Sequence, residues 1–179
     1  MKGKALWFTG LSGAGKTTLA RELYAHFSKK KVFCVILDGD ILRQGLNMDL
    51  GFSVEDRTEN VRRIAEVARL LVNNGITCIV STISPYTELR DNAKRIIGQE
   101  HFLEIFINAP LSVCEERDVK GLYQKARQNQ ITSFTGIQDD YMPPASPHLE
   151  VRTDILSIEE SLERLVVWFE ELVHAGINV

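Results

Sequence analysis

The stretch "ALWFTGLSGAGKTTLA", residues 5–20, decides the fold class of this chain. Its first five residues predict a short buried strand, and residues 18–27 have the pattern of a helix. Between them, "GLSGAGKT" at residues 10–17 matches G-x-x-x-x-G-K-[ST]. Glycines let backbone N–H groups converge on phosphate oxygens, and the N-terminus of the following helix adds a favourable dipole. Strand, loop and helix together therefore predict a phosphate-binding P-loop rather than a chance glycine-rich turn.

Apolar runs and helical patterns alternate along the rest of the chain. Several runs are apolar on successive residues, which is typical of strands covered on both faces. One helix begins with the capping-box pattern of Ser53 and Asp56 and ends at Gly75. The alternation predicts a three-layer α/β P-loop NTPase fold with a parallel sheet, and 179 residues suit a single domain. The predicted strands are residues 5–9, 32–37, 76–81, 102–107 and 149–153, and a last helix is predicted at 158–173.

Net charge, hydropathy and cysteine content indicate which partners and which cellular compartment to expect. The net charge of −3 gives no general attraction to nucleic acid, so any anion must be bound by a local cluster of cations. No apolar run is long enough for a signal peptide or a membrane span. Cys34, Cys78 and Cys114 do not have the spacing of a zinc site and predict buried, reduced thiols. We therefore expect a cytoplasmic protein without a nucleic-acid or membrane partner.

The phosphate loop predicts how a nucleoside triphosphate is held. Lys16 is expected to reach the β- and γ-phosphates, and the hydroxyl of Thr17 is expected to join the Mg²⁺ shell. ATP and Mg²⁺ are therefore the predicted cofactors. ATP contacts are predicted for Gly10, Ser12, Gly13, Ala14, Gly15, Lys16, Thr17, Thr18 and Arg117.

Two carboxylates end the second predicted strand, in "VILDGD" at residues 35–40. Burying a carboxylate is costly unless a cation or several donors meet it. One interpretation is a helix N-cap at Asp38 or Asp40. The other places both carboxylates beside Mg²⁺ and the phosphates, because the carboxyl ends of parallel strands line the ligand crevice. Asp38 would then hold the Mg²⁺ shell and Asp40 would act as base on an acceptor hydroxyl, or the two roles would be exchanged.

Cations and a lid-like segment favour a kinase over a nucleotide switch. A guanine-nucleotide switch needs a base-reading N-K-x-D motif, which the sequence lacks. Phosphoryl transfer to a hydroxyl instead needs cations around the transferred group and its acceptor. Residues 118–148, which lack strong periodicity, predict a mobile lid. The candidate cations are Arg43; Arg57, Arg62 and Arg63; and Arg117, Lys120, Lys125 and Arg127.

The motifs beyond the phosphate loop resemble the adenylylsulfate (APS) kinase family. They are "LDGD", "GLNMDLGFSVEDRTENVRRIAEVA", "ISPY", "RDVKGLYQKAR" and "FTGI…DYMPP", and the resemblance runs from Leu6 to about Thr153. It implies a nucleoside-monophosphate-kinase-like fold, often dimeric, that transfers the γ-phosphoryl group of MgATP to the 3′-hydroxyl of adenosine 5′-phosphosulfate (APS). The product would be 3′-phosphoadenosine 5′-phosphosulfate (PAPS), made in sulfate assimilation. A separate ATP sulfurylase would supply the APS.

The resemblance also implies roles for individual residues. Asp40 corresponds to the acid–base residue of the family, with Asp38 near the metal. Ser84 corresponds to a serine described in the family as a phosphoserine intermediate. Since in-line transfer needs no covalent step, a structural turn before Pro85 is an equal alternative for that serine. The residues that would contact APS are Asp40; Arg43, Arg57, Asn60 and Lys120 on its phosphosulfate and ribose; and Phe52, Phe134 and Ile83 around its adenine.

One position departs from the family pattern, because Ile41 follows Asp40 where the family commonly has asparagine. An amide donor near the acceptor is therefore missing. A kinase of the same fold that acts on another nucleotide-linked or sugar hydroxyl is the alternative enzyme. A catalytically idle nucleotide-binding or assembly protein is a third interpretation, and the joint presence of Lys16, Thr17, Asp38 and Asp40 argues against it.

Overall fold

A computed structural model describes residues 3–131 and 133–174 of the chain. Thr132, which falls within the segment predicted as a lid, lies outside the described residues. The strands and helices alternate along the chain, with two helices instead of one after the second and the fourth strand. In chain order they are β1 (Ala5–Thr9), α1 (Lys16–Lys29), β2 (Cys34–Asp38), α2 (Gly39–Leu42), α3 (Val54–Asn73), β3 (Thr77–Ser81), α4 (Thr87–Ile97), β4 (Phe102–Asn108), α5 (Leu111–Arg117), α6 (Leu122–Arg127), β5 (Leu149–Arg152) and α7 (Ile158–His174).

The strands of the described chain form a parallel sheet in the order β2-β3-β1-β4-β5. Strand β1 lies at its centre, where Trp7 is opposite Val80 of β3 on one side and Glu104 of β4 on the other. All five residues of β1 are buried, as a central strand covered on both faces requires. The predicted parallel α/β fold is confirmed.

Successive side chains of β1 point to opposite faces of the sheet and so join two separate cores. Leu6 and Phe8 pack with apolar residues of α1 and α7, whereas Ala5 and Trp7 pack with those of α3 and α4. Full burial of one large apolar side chain stabilises the fold by roughly 1.5–3 kcal/mol. Two helical layers on one sheet therefore make the three-layer architecture that the sequence predicts.

Some element boundaries differ from the sequence-based expectation. β2 begins at Cys34 rather than residue 32, and Val32 and Phe33 before it are exposed. Helices α4, α5 and α6 were not predicted, and α2 was implied only by the interpretation of Asp38 or Asp40 as a helix N-cap. In α4 the buried face includes Arg90, so a charged residue interrupts the apolar pattern that would have revealed the helix. α6 lies inside the 118–148 segment, which therefore contains regular structure.

Two further expectations concern the cysteines and the membrane. The three cysteines are buried free thiols, as predicted, and burial raises the pKa of Cys34 to about 11 and of Cys78 to about 12. These thiols are therefore protonated and unreactive at neutral pH. No helix within the part of the chain that the structure describes is long and apolar enough to cross a membrane.

The topology places the polar segments at one edge of the sheet. The phosphate loop follows β1, the two acids follow β2, and Ser84 follows β3. Because the strands are parallel, these three segments all leave the sheet at its carboxyl edge. The order β2-β3-β1 within the sheet brings the three segments side by side.

Candidate active site

The phosphate loop connects β1 to the first turn of α1. Lys16 is 8% exposed, and its Nζ donates to the carbonyl oxygens of Gly10 at 2.9 Å and Leu11 at 2.7 Å. Burial lowers the pKa of Lys16 to about 8, an effect that the nearby negative charge of Asp40 partly opposes. The lysine is thus held in the loop, in a place where a phosphate would restore the stability of its charged form.

Two glycines of the loop are needed for its close approach to neighbouring backbone. A Cβ on Gly10 would lie 2.2 Å from the carbonyl oxygen of Ile107, and Gly10 has a φ of +150°. A Cβ on Gly13, with φ of +76°, would lie 2.9 Å from the carbonyl oxygen of Cys114. Both positions therefore accept only glycine, which explains Gly10 of the motif and also Gly13 at one of its variable positions.

The outer side of the loop is hydrogen-bonded to segments far along the chain. Arg117, predicted to contact ATP, donates from Nη1 to the carbonyl oxygen of Gly13 at 3.3 Å and to Thr153 Oγ1 at 3.2 Å. Thr153 Oγ1 in turn donates to the carbonyl oxygen of Ala14 at 2.8 Å. Thr18, also predicted to contact ATP, is exposed in the first turn of α1. Arg117 therefore does lie at the phosphate loop.

Asp38 combines the two interpretations that the sequence left as alternatives. Its Oδ1 accepts from the backbone N–H of Asp40 at 2.9 Å and of Ile41 at 3.4 Å, so it is the N-cap of α2. Its Oδ2 accepts from Thr17 Oγ1 at 2.7 Å, beside the phosphate loop. Capping and a place beside the phosphate loop are therefore compatible, because a carboxylate has two oxygens and each has its own partner here.

Asp40 lies in the first turn of α2 and forms an ion pair with Lys120. Lys120 belongs to the segment predicted as a lid, and both side chains are more than half exposed. The pair spans 80 positions of sequence and connects the lid segment to the carboxyl edge of the sheet. Ile41, the position that departs from the family pattern, is 59% exposed next to it.

Arg57, near the start of α3, connects that helix to the lid segment. Its Nη1 donates to Thr135 Oγ1 at 2.6 Å, and its Nη2 donates to the carbonyl oxygen of Ser133 and to Asp139 at 3.2 Å. Arg43 lies near Arg57; burial lowers the pKa of Arg43, and the like charge of Arg57 lowers it further. The two like charges lower the stability of each other's charged form, an effect that a bound anion would relieve.

The two aromatic residues predicted to hold adenine differ in environment. Phe52 is 58% exposed, and the guanidinium of Arg43 lies 4.5 Å above its ring centroid. Phe134 is 8% exposed and packs edge-to-face on Tyr123 at 4.9 Å between centroids. Arg57 lies between their segments, because its Nε donates to the carbonyl oxygen of Phe52 at 2.9 Å. Phe52 is therefore largely exposed, with Arg43 over one face of its ring, whereas Phe134 belongs largely to the core.

The segment after β3 holds Ile83 and Ser84. Ile83 is half-buried, and its carbonyl oxygen accepts from Thr9 Oγ1 at 2.7 Å. Ser84 is 1% exposed with a φ of +38°, and its Oγ accepts from Trp7 Nε1 at 3.1 Å. Its carbonyl oxygen accepts from Arg90 at 2.9 Å. This environment favours the structural turn over a phosphorylated serine.

Asn60 and several residues that the sequence reasoning missed complete the surroundings. Asn60 is buried on α3 and accepts from Asn47 Nδ2 at 3.0 Å. Asn47 gave no signal in the sequence, because a lone amide in a turn-rich stretch is unremarkable. Asp139 and Thr153 were missed because their importance depends on partners 82 and 139 positions away.

Fold and site together define a P-loop kinase. A parallel sheet, a phosphate loop with a buried lysine, and an acid beside the loop threonine bind nucleoside triphosphates. Converging cations on the acceptor side and the exposed acid of α2 suit transfer to an anionic hydroxyl compound.

Comparison with known proteins identifies the family. The family model described as adenylylsulphate kinase matches residues 2–152, so this chain belongs to the adenylylsulphate kinase family. The adenylyl-sulfate kinase of Halothermothrix orenii is 54% identical over 170 residues, which are 95% of this chain and 91% of that protein. The structure of the Mycobacterium tuberculosis APS kinase CysC in complex with AMPPNP and APS is similar, with a TM-score of 0.91 at 44% identity. The alignment covers 94% of this chain and 98% of that one.

More distant structures share the fold alone. A gluconokinase from Sinorhizobium meliloti has a TM-score of 0.67 at 14% identity, covering 97% of this chain and 95% of that one. Identity this low shows a common architecture and carries no information about the substrate.

Proposed function

We propose that this protein transfers the γ-phosphoryl group of MgATP to the 3′-hydroxyl of adenosine 5′-phosphosulfate, giving PAPS and ADP for sulfate assimilation. The family match carries this proposal, since it extends over residues 2–152 and so includes both the phosphate loop and the acceptor side. The contacts around Arg43, Arg57 and Lys120 support it independently, because APS carries its negative charge on the phosphosulfate group.

ATP would be held by the loop and by Arg117. Lys16 would contact the β- and γ-phosphates. Burial disfavours the charged form of this lysine in the free protein, and the phosphates would stabilise that form. Thr17 and Asp38 would hold the Mg²⁺ that accompanies ATP, since their oxygens already meet at 2.7 Å. Residues 3–131 and 133–174 contain no cluster of three or more acidic, His or Cys side chains that could hold a metal. Phosphate oxygens and water would therefore supply the remaining ligands.

Asp40 would accept the proton of the 3′-hydroxyl. It is exposed, lies two positions after Asp38 and faces Lys120. In-line transfer needs positioning and charge neutralisation more than covalent chemistry, so Lys120 would leave Asp40 to meet the transferred group or the phosphosulfate. Once this ion pair separates, the Asp40 carboxylate and the Lys120 ammonium group would both lie beside the reacting atoms. Ser84 would support the loop after β3 instead of carrying the phosphoryl group, as its burial against Trp7 suggests.

The acceptor would lie between α3 and the lid segment. Phe52 would stack on the adenine, with Phe134 and Ile83 closing the pocket from the core side. Arg57 and Asn60 would meet the ribose and phosphosulfate. We propose that residues 118–148 open and close over this acceptor, fastened at Arg57 and Lys120.

Partners and compartment are a further part of the proposal. Three free thiols suit a reducing cytoplasm. A homodimer and a separate ATP sulfurylase that supplies APS are proposed from the family resemblance.

A panel of acceptors tests the proposed function. ADP release is measured with MgATP and APS, with 3′-deoxy-APS as the matched control, and with gluconate as the acceptor of the fold-related kinase. The proposal is supported if ADP is released with APS as acceptor and not with 3′-deoxy-APS or gluconate. Turnover with 3′-deoxy-APS would show another acceptor atom, and a preference for gluconate would establish the alternative sugar-hydroxyl kinase.

A further inference from the structure

Three carbonyl oxygens on the outer side of the phosphate loop accept hydrogen bonds from side chains far away in the sequence. The donors to Gly13 and Ala14 are Arg117 and Thr153. The third donor is the phenol of Tyr123, which reaches the carbonyl oxygen of Ser12 at 2.9 Å. In a trans peptide the C=O and the following N–H point in opposite directions. Holding the Ser12 carbonyl therefore also fixes where the N–H of Gly13 points.

Tyr123 differs from the other two donors because it belongs to the lid segment. It lies in α6, three positions after Lys120, and its ring packs on Phe134 at 4.9 Å between centroids. Its own N–H donates to Asp118 Oδ1 at 3.0 Å, and the residue is 2% exposed. Burial raises the pKa of Tyr123, so the hydroxyl stays a donor at any working pH. One buried side chain thus links the acceptor side to the loop that binds ATP.

The peptide that Tyr123 holds precedes a glycine, the residue type that least opposes rotation of the peptide before it. Gly13 has a φ of +76° and no Cβ, so little besides hydrogen bonding opposes a flip of the peptide before it. Within the described part of the chain, the N–H of Gly13 donates to no protein acceptor. In a P-loop such N–H groups are the donors to phosphate oxygens. After a flip, a carbonyl oxygen would face the phosphates in place of an N–H.

We propose that Tyr123 is a positioning residue of the phosphate loop, whose hydroxyl keeps the Gly13 N–H turned toward the phosphates of ATP. The proposal rests on the proposed function, since it assumes that the loop binds ATP. It makes the geometry of the ATP site depend on the docking of α6, and thus on the segment that contains Lys120. A loop that is correctly arranged only part of the time binds its ligand more weakly in proportion to that fraction.

The test compares two tyrosine-to-phenylalanine variants. Tyr123→Phe removes the hydroxyl and keeps the ring on Phe134. The matched control, Tyr141→Phe, removes a hydroxyl that contacts Thr9 Oγ1 at 3.0 Å, at the end of β1, and that has no hydrogen bond to the phosphate loop within the described residues. Calorimetry measures the Kd of ADP and of APS, each alone, and thermal melting measures stability. We expect Tyr123→Phe to raise the Kd of ADP about three- to tenfold, the effect of one neutral hydrogen bond, and to leave the Kd of APS unchanged.

The outcomes separate positioning from general stability. The proposal is supported if Tyr123→Phe weakens the binding of ADP but not of APS, and Tyr141→Phe weakens neither. Exchange broadening of the Gly13 amide resonance in Tyr123→Phe, and not in Tyr141→Phe, also supports it. An unchanged Kd of ADP in Tyr123→Phe overturns it, and so does an equal weakening of ADP in both variants. Failure of the wild-type protein to bind ADP at all would instead contradict the proposed function.

Discussion

Raising the pH should weaken ATP binding through Lys16. Burial lowers the pKa of this lysine in the free protein to about 8, from an ordinary value of 10.5. Triphosphate oxygens would favour the charged form and raise that pKa again when ATP binds. Binding should therefore take up a proton once the pH exceeds 8. The charged fraction of the free protein sets the size of the effect.

The magnitude follows from that fraction. At pH 7 about nine-tenths of the free lysine is charged, and at pH 9 only about one-tenth is. The apparent Kd of MgATP should thus rise about tenfold from pH 7 to pH 9 and stay nearly flat from pH 6 to pH 7. Isothermal calorimetry with a non-hydrolysable ATP analogue measures it, and buffers of different ionisation enthalpy report the proton uptake directly.

Lys16→Arg is the matched control, because a guanidinium remains charged throughout this range. Its Kd should not depend on pH, whatever its absolute value. A wild-type Kd that stays constant from pH 7 to pH 9, or a slope that is the same in Lys16→Arg, would refute the reasoning.

The same pKa shift has a consequence for stability without ligand. Between pH 8 and pH 10.5 the unfolded chain keeps a proton on Lys16 that the folded chain has lost, so the unfolding free energy contributed by this residue rises with pH. The wild-type protein should therefore gain up to about 3 kcal/mol over this window relative to Lys16→Met, which lacks the titrating group. Chemical unfolding of both proteins at pH 8 and pH 10.5 gives the difference, and a constant difference would contradict a buried ammonium.

Further variants test the other site residues. Asp38→Asn should weaken the apparent affinity for Mg²⁺, and it should lower the melting temperature because Asp38 caps α2. Asp40→Asn should lower kcat steeply and leave the affinity for ATP unchanged. Mg²⁺ titrations that shift only in Asp40→Asn would show that the two roles are exchanged. Phe52→Ala should weaken APS binding about tenfold without loss of stability, because base–aromatic stacking is worth roughly 1–3 kcal/mol and the ring is exposed. Phe134→Ala should weaken APS binding and also lower the melting temperature, because Phe134 is buried. If Phe52→Ala weakened binding of an ATP analogue as much as binding of APS, the assignment of Phe52 to the adenine of APS would be wrong. Ser84→Ala should keep turnover within about threefold, because its hydroxyl is bonded to the core, and a hundredfold loss in a folded variant would favour the phosphoserine.

The fold was predictable because its signals are local. The phosphate loop is a contiguous motif, and the strands β1 and β3 are apolar runs whose burial on both faces removes the alternation of a half-exposed strand. The start of α3 was predictable from its N-cap Ser53, whose Oγ accepts from the N–H of Asp56 at 3.1 Å. Helix α4 gave no comparable signal, because Arg90 on its buried face pairs with Glu104 at 2.7 Å instead of being apolar.

The acceptor side could be predicted only as a set of residues. A family resemblance names Arg57 and Lys120, but the sequence does not reveal that Arg57 meets Ser133, Thr135 and Asp139, which lie 76–82 positions away. The two roles of Asp38 also depend on geometry, because only the turn into α2 brings one oxygen to the helix and the other to Thr17. Contacts between distant segments carry no local pattern, so they had to come from the structure.

The transfer itself gives the most direct test of the account. In a single turnover with ATP labelled in its γ-phosphoryl group and with APS, the label should appear on the 3′-oxygen of the product. It should do so in equal amount to ADP, and no labelled protein should survive acid quenching. The Asp40→Asn variant, run alongside, should bind ATP and transfer little. Label released as inorganic phosphate, or recovered on a different acceptor atom, would contradict the central claim that this chain makes PAPS from APS.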